Sequence, residues 1–244
     1  MTFSDDDVER YARHLVLAEI GGPGQQRLAR ARVLIVGLGG VGGPAAQYLA
    51  AAGVGTLGLV DHDTVALSNL QRQVQFSTAD IGRHKVEAAA ERLTALNSGV
   101  AIETFVQALT PDNAAAQVAG WDVVIDGTDD FAVRFATNAA CVAAGVPLVS
   151  GALGRWEGQV GVFTGRPCYR CLVAETPPDA ETCARVGVVG ALAGVVGAMT
   201  ALEAIKIITD AGRPLTGRLL LYDGLGGQTR TLAVTPDPIC PVCG

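Results

Sequence analysis

The chain has 244 residues, enough to bury a full core, and is 49% apolar but only 5% aromatic, which excludes a disordered chain and suits close-packed helices on a buried sheet. Its formal net charge of −6 argues against a nucleic-acid partner, because such binders carry an excess of Lys and Arg against phosphate. The opening stretch, MTFSDDDVERYARH, is acidic and lacks the basic-then-apolar layout of a secretory signal, so a cytoplasmic address is expected.

In chain order, the first predicted element is a helix, with Ser4 as N-cap and Asp7 closing a capping box ahead of Val8, Tyr11 and Leu15. The GGPG run from Gly21 to Gly24 is expected to end it. Strands and helices then alternate. RVLIVG (Arg32 to Gly37), TLGLVD (Thr56 to Asp61), VAIETF (Val100 to Phe105), DVVIDG (Asp122 to Gly127) and VPLVSG (Val146 to Gly151) read as strands. Helical patterns fall between them, at Gly43 to Ala52, Lys85 to Leu96, Pro111 to Val118 and Arg134 to Ala144. Such alternation predicts an α/β fold: a Rossmann-like, mostly parallel sheet with helices on both faces.

After Gly151 the rhythm changes. Gly158 to Gly165, Arg218 to Gly224 and Thr229 to Val234 predict antiparallel strands that extend the sheet. Between them Val186 to Leu202 runs 17 residues without a charge. A membrane span needs about 20 such residues, and this run holds Gly187, Gly190, Gly194 and Gly197 and leads into Glu203 and Lys206. A helix buried all round is expected, with no membrane partner.

Gly37-Leu38-Gly39-Gly40-Val41-Gly42 matches G-x-G-x-x-G between a predicted strand and a predicted helix. Glycines there let the backbone turn tightly and approach a phosphate, and the helix N-terminus offers free N–H groups to it. Asp61 ends the next strand, where an acid commonly bonds a ribose hydroxyl. These features fit ATP and NAD equally. The choice rests on other residues: the polar run Asn69-Leu70-Gln71-Arg72-Gln73, Lys85, Arg13 on the first helix, and the pair Asp129 and Asp130 after a strand end. Cations stabilise charge on departing pyrophosphate and a carboxylate holds Mg²⁺ on phosphate oxygens, whereas hydride transfer requires neither.

Cys168-Tyr169-Arg170-Cys171 and Cys240-Pro241-Val242-Cys243 are paired C-x-x-C units, the spacing of a structural Zn²⁺ site, since four sulfurs leave no open position for water. Disulfides or a redox dithiol are the alternatives. Cys141, within AACVAAG, reads as a small core residue. Cys183 lies in the polar segment PPDAETCARVG with Arg185 nearby, which leaves a covalent role and a plain surface thiol equally open.

With RYARH, VLIVGLGGVGGPAAQYLAAAGVG, LVDHDTV, LSNLQRQ, GRHK, DGTDD, PLVSGALGRWEGQV, CYRC, ALEAIK and CPVC in order along it, nearly the whole chain resembles the bacterial adenylyltransferases for molybdopterin-synthase and thiamin sulfur carriers, relatives of the ubiquitin-activating enzymes. The resemblance implies ATP-dependent adenylylation of the C-terminal glycine carboxylate of a small ubiquitin-like carrier ending in Gly-Gly, with release of pyrophosphate. By it, Gly40 and Asp61 would contact adenosine, Ser68, Asn69, Arg72 and Lys85 would surround the phosphates, and Asp129 would ligate Mg²⁺. Arg13 would reach the site of a second copy, implying a homodimer whose interface the apolar helix helps bury. Cys183 matches the cysteine that in part of the family takes up the carrier acyl group, while other members manage without one. Residues 1–244 are expected to form one domain, with a nucleotide-binding half (1–150) and a carrier-binding, zinc-bearing half (151–244). With the chain ending at Gly244, sulfur is expected to come from a separate donor protein.

One departure stands out. Where relatives usually read T-D-N, this chain reads Thr128-Asp129-Asp130, which adds a carboxylate beside the expected metal and leaves the role of Asp130 open. Two other readings compete with adenylylation: a non-catalytic nucleotide-binding scaffold, and an NAD-dependent oxidoreductase that would leave the arginines and the zinc unexplained.

Overall fold

The computed structural model describes residues 3–176 and 187–244. Its elements are α1 (Asp5–Arg10), α2 (Ala12–Leu15), α3 (Gly21–Arg30), β1 (Arg32–Val36), α4 (Gly42–Ala51), β2 (Thr56–Val60), α5 (Lys85–Leu96), β3 (Ala101–Phe105), α6 (Pro111–Val118), β4 (Val123–Asp126) and α7 (Phe131–Ala144). They continue with β5 (Leu148–Gly154), β6 (Glu157–Phe163), α8 (Tyr169–Leu172), α9 (Gly190–Thr209), β7 (Arg218–Asp223) and β8 (Gln228–Ala233).

One sheet of eight strands runs in the order β3-β2-β1-β4-β5-β6-β7-β8. The pairs from β3 to β5 are parallel and those from β5 to β8 antiparallel, as the change of rhythm predicted. β1, β2 and β4 are mostly apolar because helices cover both sheet faces, and every residue of β4, Asp126 included, is buried. The chain builds outward from β1 through β2 to β3, then returns to place β4 on the other side of β1. Between the carboxyl ends of β1 and β4 the connections therefore diverge and leave a crevice.

Three expectations are corrected. The GGPG run opens α3 rather than closing the first helix: Gly21 adopts φ +56°, and Pro23 falls in the first turn, where its missing N–H has no partner to lose. The opening helix divides at the buried Tyr11 into α1, which does carry the Ser4–Asp7 capping box, and α2. The long apolar helix starts at Gly190 and runs past Glu203 and Lys206 to Thr209, and it is not buried all round. By length and composition α9 could cross a membrane, yet it packs on α3, α4, β5 and β6. Its outer face leaves Val195 and Leu202 exposed, while Glu203 is buried and accepts a hydrogen bond from Leu215 N at 2.7 Å.

Candidate active site and metal centre

A cavity of about 370 Å³ opens over the crevice between β1 and β4. The glycine loop forms one wall. Gly37 sits at φ +85°, and a Cβ there would lie 2.8 Å from the Thr128 side chain. Gly42 starts α4 so close beneath the loop that a Cβ would fall 1.8 Å from the Gly37 carbonyl oxygen. Gly42 thus serves backbone packing and does not line the cavity, whereas Gly37, Gly39 and Gly40 do. Asp61 binds the loop from the next strand: its Oδ2 accepts from Leu38 N at 2.7 Å and its Oδ1 from Asp63 N at 2.9 Å.

The charged residues converge from separate elements. Lys85 opens α5, is buried, and places Nζ 2.7 Å from Asp63 Oδ2. Partial burial would raise the Asp63 carboxyl, but the hydrogen bond and charge of Lys85 override it and hold that acid below its usual range. Arg72 reaches the cavity from the loop after β2 while its Nη1 donates to the Ser68 carbonyl at 3.0 Å. Asn69 lines the cavity too, though its Oδ1 accepts from Ala66 N and shapes a short turn.

Asp129 and Asp130 lie exposed at the opposite wall, before α7. Asp130 is the N-cap of α7: its Oδ1 accepts from Ala132 N at 2.7 Å and Val133 N at 3.4 Å. Asn and Asp cap helices about equally well, and the negative charge of Asp130 faces a positive helix end. Asp130→Asn is expected to leave stability within about 0.5 kcal/mol, whereas Asp130→Ala costs about 1 kcal/mol; thermal melts of the two variants check this.

Not every expected residue reaches the cavity. Ser68 contributes only its carbonyl to Arg72, Gln71 turns away to donate to the Val188 carbonyl at 3.2 Å, and Leu70 packs on the apolar core. The turn that carries them alternates inward and outward positions, which the polar run alone did not reveal. Arg13 is exposed on α2 and is not part of this chain's cavity. Cys183 lies outside the described residues.

Gln73, part of the polar run, lines the cavity, and several further lining residues escaped sequence reading: Asp63, Thr128, Arg134 and Tyr169. Arg134 had a signal, a lone cation on an otherwise apolar helix pattern. It is almost fully buried and stands 3.3 Å from Asp126 Oδ2. Burial works against the charged guanidinium, but Asp126 together with Tyr169 and Asp129 outweighs it and raises the Arg134 pKa. A second cavity of about 650 Å³ shares Ala152, Leu153 and Gln159 with the first and continues along the β5–β6 turn toward Tyr222 and Arg230.

The four cysteines Cys168, Cys171, Cys240 and Cys243 bring their sulfurs within 4.8 Å of one another. Cys168 and Cys240 sulfurs are 3.6 Å apart and those of Cys171 and Cys243 3.5 Å, too long for disulfides and right for a common ion. Cys168 is the N-cap residue of the short helix α8, so the first pair rides on a helical turn. Burial would raise the Cys240 thiol, yet the backbone N–H groups of Val242 and Cys243 bring it down to about 7, whereas burial and the neighbouring sulfurs push Cys243 up to about 12, so all four sulfurs would be thiolates together only with a cation between them. Cys141 is buried in α7, and burial pushes its thiol up to about 12, which suits a core residue.

The sequence matches the ThiF family over residues 11–242. It is 45% identical to a Thermus thermophilus sulfur carrier protein adenylyltransferase, aligned over all of this chain and 93% of that protein. It is 49% identical to the Escherichia coli molybdopterin-synthase adenylyltransferase, over 99% of this chain and 98% of the relative. Among solved structures, E. coli MccB with MccA-N7isoASN superposes with a TM-score of 0.86 at 23% identity, covering all of this chain and 76% of that one, a likeness of fold.

Proposed function

The chain belongs to the ThiF family, and from that premise we propose how its cavity performs the family's reaction. The protein is an adenylyltransferase that uses ATP to activate the C-terminal carboxylate of a sulfur-carrier protein, in the context of thiamin or molybdopterin synthesis. A carboxylate oxygen of the carrier's terminal glycine forms a bond to the α-phosphorus of ATP. The bond from that phosphorus to the bridging oxygen breaks, giving an acyl-adenylate and pyrophosphate. No enzyme nucleophile takes part.

The observation that carries the residue assignments is the meeting of Gly40, Asp61, Asn69, Arg72, Lys85 and Asp129 in one cavity at the divergence of β1 and β4. Asp61, already oriented by the glycine loop, keeps lone pairs for ribose hydroxyls. Arg72 and Lys85 would stabilise the charge gathering on pyrophosphate, Lys85 exchanging Asp63 for phosphate oxygens as the nucleotide enters. Asp129 would hold Mg²⁺, which supplies charge neutralisation to the phosphates. The groove continuing past Gln159 suits the carrier's extended Gly-Gly tail, because it leads directly into the reaction cavity.

Further assignments complete this reading. The four-sulfur site would hold structural Zn²⁺, since its donor set is all thiolate and closed. That ion calls for a reducing, cytoplasmic setting. The exposed Arg13, with the exposed apolar residues Val16, Tyr48 and Leu202, supports a homodimer in which Arg13 completes the partner's site. Sulfur transfer would follow from a separate donor, with Cys183 as the candidate acyl acceptor in that later step.

ATP–pyrophosphate exchange by purified protein with Mg²⁺ and each diglycine-ended carrier of the same cell tests the reading. Exchange is expected with one carrier and is expected to vanish when its last glycine is deleted. Exchange indifferent to every carrier would overturn it.

A further inference from the structure

Tyr169 belongs to two centres at once. It lies between Cys168 and Cys171 in the metal knuckle, and it also lines the reaction cavity while only 3% exposed. The knuckle is fastened to α7 over successive turns. Tyr169 N donates to Asn138 Oδ1 at 2.8 Å, the Tyr169 ring centroid stands 6.2 Å from that of Phe135, and the Arg170 guanidinium lies 4.3 Å from the Phe135 ring. Phe163 meets the tyrosine ring edge-on at 5.6 Å and locks its orientation from the sheet side.

The side chain that Tyr169 faces is Arg134. The guanidinium carbon is 5.9 Å from the ring centroid, so the aromatic face and the cation are in contact. Arg134 in turn ties two strand ends together. Nη1 donates to Ser150 Oγ at 3.0 Å, and Nη2 donates to the carbonyls of Gly151, at 3.0 Å, and Thr128. Asp126 holds Thr128 from the other side, its Oδ1 accepting from Thr128 N at 3.0 Å and Thr128 Oγ1 at 2.7 Å. Thr128 is therefore gripped at both its N–H and its carbonyl, and the next residue is Asp129. A buried ion pair such as Asp126–Arg134 adds little net stability against a well-packed apolar alternative, so its worth lies in geometry. The geometry it sets is that of the Thr128 backbone.

We propose that Tyr169 is a positioning residue: it holds Arg134 in the arrangement that fixes Thr128 and so aims the Asp129 carboxylate into the cavity, which makes the metal knuckle and the reaction cavity one mechanical unit. The inference rests on the assignment of Asp129 to Mg²⁺. It goes beyond it by giving the four-cysteine knuckle a part in aligning the reaction centre, in addition to securing the chain's end.

Tyr169→Leu in the full chain removes the aromatic face beside Arg134, and Tyr169→Phe, which keeps that face, is the control. In pyrophosphate exchange, the rate of Tyr169→Leu is expected to fall roughly 10- to 100-fold, the scale of a small misplacement of a reacting group, while Tyr169→Phe stays near the wild type. The Mg²⁺ concentration for half-maximal rate should rise in step in Tyr169→Leu, and calorimetry without carrier should show weaker Mg²⁺-dependent ATP binding. Sulfur-bound metal content should match the wild type in both variants. Arg134→Lys should act in the same direction as Tyr169→Leu, and the double variant should be no worse than Arg134→Lys alone. Wild-type Mg²⁺ dependence in Tyr169→Leu, or independent multiplication of the two effects, would overturn the proposal. The calorimetric arm needs no carrier, so it reads this inference separately from the choice of carrier.

Discussion

Asp129→Ala is expected to lower carrier-dependent pyrophosphate exchange by about 10²–10³-fold, the scale of removing one preorganised charge from a reaction centre. The carboxylate is exposed to the cavity and forms no hydrogen bond among the described residues, so its removal leaves no buried partner unpaired. Its neighbours keep the local backbone intact: Asp130 still caps α7, and Asp126 still holds Thr128. Melting temperature should therefore stay within about 2 °C of the wild type, since a surface substitution of this kind costs about 0.5 kcal/mol or less. ATP binding measured without Mg²⁺ should change little, and binding measured with Mg²⁺ should weaken. Full exchange activity in this variant would remove Asp129 from the metal site and shift attention to the Asp61-His62-Asp63 cluster across the cavity.

The second large effect falls on stability. Cys240→Ala leaves three sulfurs for the ion and an empty place at the buried end of the knuckle. Structural zinc binding in small peptides is worth about 10–16 kcal/mol at neutral pH. The terminal segment follows β8 and belongs to no strand, so the loss expected in global unfolding is smaller, about 3–5 kcal/mol. At about 2–4 °C per kcal/mol for a chain of this size, the melt should fall by roughly 10 °C. Elemental analysis should show the metal lost, and limited proteolysis should cut early in the last ten residues. Stoichiometric metal with an unchanged melt would show that the four cysteines do not share an ion. The two variants separate the roles of the two sites: Asp129→Ala removes turnover with the fold kept, and Cys240→Ala loosens the fold first.

Much of the molecule was readable from short-range pattern. The strands β1, β2 and β4 are mostly apolar because a parallel sheet covered on both faces buries nearly all of their side chains, and their order with the intervening helices fixed the fold class. The glycine loop announced itself because a tight turn under a helix N-terminus tolerates no side chain at Gly37 or Gly42. The paired C-x-x-C units were legible for a similar reason, since metal geometry demands close sulfurs within each pair. In all these cases the constraint spans only a few residues, so the sequence carries it locally.

What the sequence left open was decided by contacts between distant segments. The run Ser68 to Arg72 is uniformly polar except for Leu70, yet only Asn69 and Arg72 face the cavity, because packing against the core and the Val188 carbonyl settles which way each side chain points. GGPG could end one helix or begin the next, and the docking of α3 against α9 chose the second, with Arg27 donating to the Thr209 carbonyl. The apolar composition of α9 could not tell full burial from a face left outward. Arg134 and Tyr169 lie 35 positions apart and carry no joint signature in the sequence. The sequence by itself determined the fold class, the glycine loop and the two cysteine pairs that converge, because backbone sterics and residue spacing act over a few residues. Only the tertiary structure decided which polar groups share the cavity and how the knuckle reaches it, because burial and charge pairing depend on neighbours brought together by folding.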